Sequence, residues 1–301
     1  MPKKAKLLII GSVTYSVATY DDGIRERFGG GVAYGGRTAG ILGIPAKVIT
    51  VGAEDIGPGV EEIRSYGIDV MRIPRNSSNN FYNDYRGERR QLRMKDHIKR
   101  PLCKEDLANQ QDCDAVIFFP GFHEISAETV EIFKGKTIFL DVGGLTRAFG
   151  EKDKEGYYLI DQVDWDTIDE FRNKVDILKV SQDDLEGMKF DPSIKNEDEK
   201  IQCLAENGFP IVLFTKGCEG IILARKGLSL EEIPTFKVHG DSGGAGDTFS
   251  VGFMAEYLEN KDPIRATAFG SACASFKISG EDYDYGKAKL GAEKILEKAG
   301  V

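Results

Sequence analysis

Apolar residues follow two alternating patterns along most of the chain. Short runs rich in Val, Ile and Phe alternate with longer segments in which apolar residues recur at helical spacing. This alternation predicts a mainly parallel sheet covered by helices, because runs such as Val116–Phe119 suit strands buried on both faces. The predicted strands are Lys6–Ile10, Ala46–Val51, Asp69–Ile73, Ala115–Phe119, Thr137–Asp141, Asp176–Val180 and Ile211–Thr215, followed by the pair Ile221–Ala224 and Ile233–Val238.

Two segments interrupt this alternation. Residues 13–28 form two extended arms around the turn Asp21-Asp-Gly23, and residues 80–94 form two more around Arg86-Gly-Glu88. We expect both to stand off the main sheet as a small β lid. Three helices are predicted at the C-terminal end, and no internal repeat or flexible linker divides the chain. The sequence therefore predicts a single α/β domain over residues 1–301.

Composition and charge exclude several classes of protein. The chain of 301 residues carries 40 Lys and Arg against 49 Asp and Glu, a net charge of −9. Without a long basic run, nucleic acid is not expected as a partner. The apolar start is too short for a signal peptide or a membrane span, so we expect a cytoplasmic protein with no membrane partner. Five Cys without a CxxC pair indicate reduced thiols.

Glycine is the one compositional deviation, at 35 residues or about 12%, against roughly 7% on average. The strongest cluster is Gly240–Phe249, which leads from a β arm into an amphipathic helix. Gly243, Gly244 and Gly246 let the backbone approach a ligand, and the unpaired amides of a helix start favour phosphate. Asp247 makes chemical sense there as a base that accepts the proton of an attacking hydroxyl. The alternative is that Asp247 caps the helix and the glycines form a tight turn.

The same segment contains Gly-Asp-Ser-Gly-Gly, the string around the nucleophile of trypsin-like serine proteases. Those enzymes are disulfide-bonded β-barrels with a His and an Asp upstream of the nucleophile. This chain has an α/β pattern and three histidines, His97, His123 and His239, none of which lies in an Ala-His-Cys setting. We therefore set the protease interpretation aside.

Three motifs resemble those of the ribokinase-like (PfkB-type) carbohydrate kinases. Asp241-Ser-Gly-Gly-Ala-Gly-Asp-Thr-Phe249 resembles their C-terminal signature, D-[TS]-x-G-A-G-D-x-F. Phe28–Gly36 with the following Leu42-Gly43 resembles the N-terminal signature, and Thr215–Gly220 matches the T-x-G-x-x-G turn. The resemblance implies a three-layer α/β/α sandwich with a mainly parallel sheet and a β lid. It also implies an ATP-dependent kinase that uses Mg²⁺ and phosphorylates a small sugar or polyol.

The resemblance implies roles for the residues that match these motifs. Asp247 would be the catalytic base, and the amides of Gly244, Ala245 and Gly246 would hold the phosphoryl group. Asp241 would help to hold a monovalent cation such as K⁺ beneath this anion hole, as in the family members that bind one. The residues implied to border the nucleotide are Thr215, Lys216, Gly217, Gly220 and Ser271.

The chain also departs from the family pattern. The family's N-x-x-E motif, which organises Mg²⁺ through water, is replaced by Ser181-Gln-Asp-Asp184, where Asp184 keeps a carboxylate with a shorter reach. The positions of a substrate-binding Asn and Asp hold Tyr34 and Ser16, which weakens the case for ribose as the acceptor. The residues implied to bind the acceptor are Ser16, Gly30, Gly31, Tyr34, Asp141 and Arg147.

The element Asp141-Val-Gly-Gly-Leu-Thr-Arg147 resembles one found in archaeal myo-inositol kinases of this family. It would place Arg147 near the acceptor or the transferred phosphate, and the alternative is an arginine paired with a surface acid. Tyr82, Asn83 and Tyr85 of the second lid segment would either close over a polyol or pack within the sheet.

Two other functions stay open. One is a nucleoside kinase on the same fold, and the other is a sugar-binding protein without catalytic activity. An exposed lid edge would also allow a homodimer to form by edge-to-edge pairing.

Overall fold

The computed structural model describes residues 6–84, 86 and 91–300, and the strands among them form two sheets. The central sheet is built from β1 Leu7–Gly11, β4 Ala46–Gly52, β5 Asp69–Pro74, β8 Ala115–Phe119, β9 Thr137–Asp141, β12 Ile177–Ser181, β13 Ile211–Thr215, β14 Ile221–Arg225 and β15 Glu231–Ile233. Their order is β15-β14-β13-β12-β9-β8-β1-β4-β5. The pairs β13–β14 and β14–β15 are antiparallel and the other pairs in this sheet are parallel.

Helices cover both faces of the central sheet, which explains the uninterrupted apolar runs. In β1, Leu8 and Ile10 belong to one buried cluster, whereas Leu7 and Ile9 belong to the cluster on the opposite face. The helices are α1 Gly31–Leu42, α2 Gly57–Ser65, α3 Ala127–Glu131, α4 Ile168–Phe171, α5 Gln182–Gly187, α6 Glu197–Glu206, α7 Ala245–Asn260, α8 Pro263–Ser279 and α9 Tyr285–Ala299, with short 3₁₀ turns at Glu54–Ile56 and Gly217–Glu219.

The predicted α/β architecture is confirmed. The seven predicted strands from Lys6–Ile10 to Ile211–Thr215 are present within one residue of the predicted bounds, and the three C-terminal helices are present too. The predicted strand Ile233–Val238 is wrong, because β15 ends at Ile233. Pro234 follows and has no amide hydrogen to extend the ladder.

The second sheet is the lid, and it is larger than expected. Its strands are β2 Thr14–Tyr20, β3 Gly23–Gly29, β6 Phe81–Asp84, β7 Gln91–Met94, β10 Arg147–Lys152 and β11 Tyr158–Gln162, in the order β10-β11-β7-β6-β2-β3. The two predicted segments supply four of these strands, and a third hairpin over residues 147–162 supplies the rest. Tyr85 and most of the predicted turn at Arg86–Glu88 lie outside the described residues.

The lid covers one particular edge of the central sheet. The three lid segments follow β1, β5 and β9 in the sequence, so each one comes after the carboxyl end of a parallel strand. This edge of an open α/β sheet is where ligands commonly bind. None of the helices in the described part of the chain combines the length and apolar character that a membrane span requires.

Candidate active site

A cavity of about 210 Å³ lies between the lid and the carboxyl edge of the central sheet. It brings together eight of the residues for which the resemblance implied a role, whereas the residues implied to bind the nucleotide and cations lie outside its lining. The predicted residues that line it are Ser16, Gly30, Gly31, Tyr34, Asp141, Arg147, Gly244 and Asp247.

The start of α7 places Asp247 at this cavity. Gly244 precedes the helix with a left-handed φ of 79°, and a side chain there would also collide with the ring of Tyr34, since a Cβ atom would lie 2.3 Å from it. No side chain caps α7, and Asp247 lies inside its first turn instead of at the cap position. The capping interpretation of Asp247 is therefore not what the geometry supports.

The first turn of α7 offers backbone amides to a ligand. The amide of Thr248 donates to the carbonyl of Gly244 at 2.9 Å, and the amide of Ala245 donates to the carbonyl of Ser242 at 3.1 Å. Within the described part of the chain, the amides of Gly246 and Asp247 have no acceptor. Together with the helix dipole, they form a site suited to an anion. The Ala245 amide, predicted for the same role, would have to share its bond to Ser242.

Lys179 is a site residue that the sequence reasoning missed. Its side chain lies near the carboxyl end of β12 with 6% exposure, and Nζ donates to Oδ2 of Asp141 at 2.6 Å. A Cβ atom on Gly246 would lie 3.1 Å from the same Nζ, so the ammonium sits directly beside the first turn of α7. The available signal was a single lysine inside the apolar run Ile177–Val180, a place where an unpaired charge is costly.

Burial and the charges around this site shift the pKa of Asp247. Burial raises the pKa of Asp247 to about 6, and the carboxylate of Asp141 adds to the effect. The positive charges that oppose it are those of Lys179, Arg147 and Lys277. Burial lowers the pKa of Lys179, but Asp141 and Asp247 more than offset this and leave that pKa above its ordinary value. Asp247 is thus a carboxylate with a pKa suited to proton transfer near neutral pH.

The lid side of the cavity carries polar groups for an acceptor. Asn83 of β6 donates to the hydroxyl of Ser16 on β2 at 3.0 Å. Arg147, at the start of β10, donates through Nη1 to the carbonyl of Gly121 at 3.0 Å while lining the cavity. The lid therefore contributes hydrogen-bonding groups to the site as well as covering it.

The residues predicted for the nucleotide lie beyond the cavity. Thr215 Oγ1 is 3.5 Å from the carbonyl of Val180. Lys216 is paired with Glu197 at 3.1 Å and with Glu219 at 3.6 Å, next to the turn that contains Gly217 and Gly220.

Ser271 of α8 is buried as well. Its hydroxyl donates to Thr235 Oγ1 at 3.0 Å, so it faces that side chain. Direct contact with an adenine is therefore not favoured by the geometry.

Asp184, predicted to act on Mg²⁺ through water, is buried and fully engaged by protein donors. One oxygen accepts from Thr146 Oγ1 at 2.9 Å, and the other accepts from the amide and hydroxyl of Ser181 in a capping box at the start of α5. Throughout the described residues, no group of three or more His, Cys, Asp or Glu side chains is arranged to hold a metal ion. A metal here would take most of its ligands from phosphates and water.

Residues 145–285, which include β10, Lys179 and the whole of α7, match the family model described as pfkB family carbohydrate kinase. This part of the chain is therefore similar to pfkB family carbohydrate kinases. A ribokinase from Haemophilus influenzae is 30% identical over 115 residues, a match that covers 37% of this chain and 37% of that enzyme.

Solved structures with the ribokinase-like fold match nearly the whole chain. A sulfate complex of a pyrophosphate-dependent kinase in the ribokinase family has a TM-score of 0.80 at 22% identity, covering 95% of this chain and 99% of that one. A ribokinase from Thermotoga maritima has a TM-score of 0.72 at 19% identity, covering 97% and 99%. At these identities the likeness establishes the fold alone, and it confirms the ribokinase-like architecture expected from the sequence.

The raised pKa of Asp247 predicts a trade-off with stability. Its folded pKa of about 6 lies above the unfolded value of about 3.9, so the fold favours the protonated carboxyl. The stabilisation that comes from this protonated carboxyl is fully present below about pH 4, and it is lost as the pH rises through 6 and the carboxyl ionises. We expect Asp247→Asn to unfold at a higher temperature than the wild type at pH 8, and the difference to vanish near pH 4.

Thermal unfolding at pH 4, 6 and 8 measures this effect. The matched control is Asp198→Asn, because Asp198 is an exposed acid in the first turn of α6. Removing its charge should not stabilise the protein, since an acid at that position favours the helix. An Asp247→Asn variant that is less stable than the wild type at pH 8 would contradict the conclusion that the ionised Asp247 carboxylate destabilises the fold.

The buried pair of Lys179 and Asp141 predicts a second effect. Lys179→Met leaves the Asp141 carboxylate without its partner, which should cost about 3–5 kcal/mol of unfolding free energy. The double variant Lys179→Met/Asp141→Asn should recover part of that loss, because Asp141 no longer carries an unpaired buried charge, although Asp247 has still lost one of its opposing charges. Urea denaturation of both single variants and the double variant measures the coupling. Equal losses in the Lys179→Met variant and the double variant would refute the pairing.

Proposed function

We propose that this protein is a kinase that transfers a phosphoryl group from a phosphoanhydride donor to a hydroxyl of a small sugar or polyol. The observation that carries the proposal is the position of Asp247. Its carboxylate, with a pKa of about 6, lies at the cavity between the lid and the central sheet and beside helix amides that have no other acceptor in the described residues. A base for the hydroxyl and a site for the phosphoryl group are thereby adjacent.

The roles of the residues follow from this adjacency. Asp247 would accept the proton of the attacking hydroxyl. The amides of Gly246 and Asp247, together with the ammonium of Lys179, would stabilise the negative charge on the phosphoryl oxygens as it is transferred. Phosphoryl transfer asks mainly for positioning and charge stabilisation, and these groups are held in place before any ligand binds.

The size and lining of the cavity support a small polar acceptor. A volume of about 210 Å³ lies below the usual range of ligand pockets, which favours a monosaccharide or cyclitol over a nucleoside. Ser16, Asn83 and Thr14 offer neutral hydrogen-bonding groups, and Arg147 supplies one cation. A pyrophosphate-dependent kinase with this fold, at 23% identity and a TM-score of 0.78 over 95% of this chain and 99% of that one, has been solved with a pyrophosphate analogue and myo-inositol. We therefore place myo-inositol first among the acceptors.

ATP with Mg²⁺ is the donor that the family resemblance implies, and pyrophosphate is the alternative. Mg²⁺ would bridge donor phosphates and neutralise their charge, with Asp184 reaching it only through water. Two observations favour a compact donor. Lys216 is already paired with Glu197 and Glu219, and the Ser271 hydroxyl is buried against Thr235. Around the cavity itself, Arg27 and Arg147 line the wall, and Lys179 lies beside the first turn of α7.

Turnover assays test the proposed reaction. The wild type, with either Mg·ATP or Mg·pyrophosphate, should phosphorylate a polyol or sugar from a panel of myo-inositol, ribose, fructose 6-phosphate, ketodeoxygluconate and nucleosides. Asp247→Asn should lower kcat by about 10²–10⁴, because the base is lost while the cavity is kept. In the wild type, kcat/KM should fall tenfold per pH unit below about pH 6.

Asp198→Asn is again the control and should keep wild-type turnover. Phosphorylation of nucleosides alone would establish a nucleoside kinase instead. No turnover with any acceptor and either donor would favour a sugar-binding protein without catalytic activity.

A further inference from the structure

Asp241, three residues before Gly244, is surrounded by positively charged side chains. Nζ of Lys277 donates to the backbone carbonyl of Asp241 at 2.6 Å and lies 3.4 Å from its Oδ2. Nη1 of Arg27 donates to the same Oδ2 at 2.6 Å, and the amide of Gly243 donates to Oδ1 at 2.9 Å. The carbonyl and both carboxylate oxygens of Asp241 therefore already accept hydrogen bonds.

These contacts do not fit the monovalent cation expected at Asp241 from the sequence. One carboxylate faces two positive side chains, so a bound K⁺ would add a third positive charge with no additional negative one. Partial burial would raise the pKa of Asp241, but the Gly243 amide, Lys277 and Arg27 hold it below its ordinary value. The carboxylate is thus ionised and its charge is already compensated by side chains of the protein.

We propose that the ammonium group of Lys277 takes the place of a monovalent cation beneath the anion site, so that the protein needs no K⁺ for stability or activity. The part of this proposal that concerns activity rests on the kinase function proposed above. The part that concerns stability does not depend on it.

Packing connects Lys277 to the phosphoryl site. A Cβ atom on Gly240 would lie 1.8 Å from the carbonyl of Ile278, so the start of the loop lies directly on the end of α8, next to Lys277. Lys277 Nζ also lies 5.5 Å from the ring centre of Tyr34, and that ring packs against Gly244. The ammonium of Lys277 therefore contacts both the loop that leads to α7 and the Tyr34 ring, which packs beneath the first turn of α7.

Lys277 is well placed to act as a fixed cation. Its side chain is 18% exposed, and its carbon stem extends from the last turn of α8. Burial lowers its pKa, and the charge and the hydrogen bond of Asp241 offset this lowering only in part. Its positive charge also extends to the catalytic carboxylate, where it helps to lower the pKa of Asp247. A tethered ammonium supplies these effects without the binding equilibrium of a free ion.

Cation exchange tests the proposal with a readout that needs no substrate. Thermal unfolding of the wild type is compared in KCl and in tetramethylammonium chloride at equal ionic strength, and the same salts are used in the kinase assay. Lys277→Ala leaves room for an ion beside Asp241. Lys289→Ala is the control, because Lys289 is an exposed lysine on the neighbouring helix α9.

We expect the wild type and Lys289→Ala to show equal Tm and kcat in both salts. Lys277→Ala should have a lower Tm and kcat in tetramethylammonium chloride, and KCl or NH₄Cl should restore both saturably, raising Tm by about 2 °C or more. A wild type whose Tm or turnover rises saturably with K⁺ would overturn the proposal. This comparison on the wild type tests the proposal even if Lys277→Ala does not fold. The proposal would also be overturned if Tm and kcat fall in Lys277→Ala and no cation restores them, or if neither falls. Absence of turnover in every salt would refute the kinase function and leave the Tm comparison to decide the cation question.

Discussion

The balance of charge among Asp141, Lys179 and Asp247 is the constraint on which the site depends. Lys179 is nearly fully buried, and a buried ammonium is tolerated only when carboxylates compensate it. Asp141 provides a direct hydrogen bond, and Asp247 faces the same ammonium from the first turn of α7. Burial and the neighbouring Asp141 carboxylate raise the pKa of Asp247, and the lysine that the two carboxylates share does not offset this rise. The arrangement that raises the pKa of Asp247, as the proposed base role requires, also makes its charge costly to the fold.

The topology of the chain concentrates this chemistry at one edge. β9 and β12 bring Asp141 and Lys179 to neighbouring positions, and α7 directs its first turn toward them. The lid adds Arg27 from β3 and Arg147 from β10. The protein as a whole carries a net charge of −9, so its long-range field does not attract an anionic ligand. Cations held locally by the lid and the sheet, together with helix amides, would have to provide that attraction.

The parts of the fold that the sequence predicted well are those with a strong local signal. Continuous apolar runs identified the central strands because both faces of that sheet are covered by helices. The lid hairpin of β10 and β11 was missed, since its half-buried strands mix charged and apolar residues and resemble a loop in a single sequence. Ser271 lies outside the three motifs and was assigned to the nucleotide only from the family resemblance. Most positions of α8 are buried, so periodicity does not indicate which face of that helix meets solvent.

The site was predictable only where a motif carried it. Asp247 and its glycines form a contiguous signature, and the structure places them at the cavity. Lys179 belongs to no such signature, and its importance appears only when β12 is set beside β9. The partners of Asp241 lie 36 and 214 positions away in the chain, and no local pattern connects them. A cation was therefore expected where the fold supplies Lys277 and Arg27.

Asp247 lies at the cavity as a carboxylate whose negative charge the neighbouring positive side chains do not fully offset. The most direct test of this incomplete compensation is a carboxyl-carbon NMR titration of the wild type and of Asp247→Asn. We expect a carboxyl resonance that titrates near pH 6 in the wild type and is absent from the variant. A wild type in which that resonance titrates below pH 4, as an ordinary exposed Asp does, would contradict it.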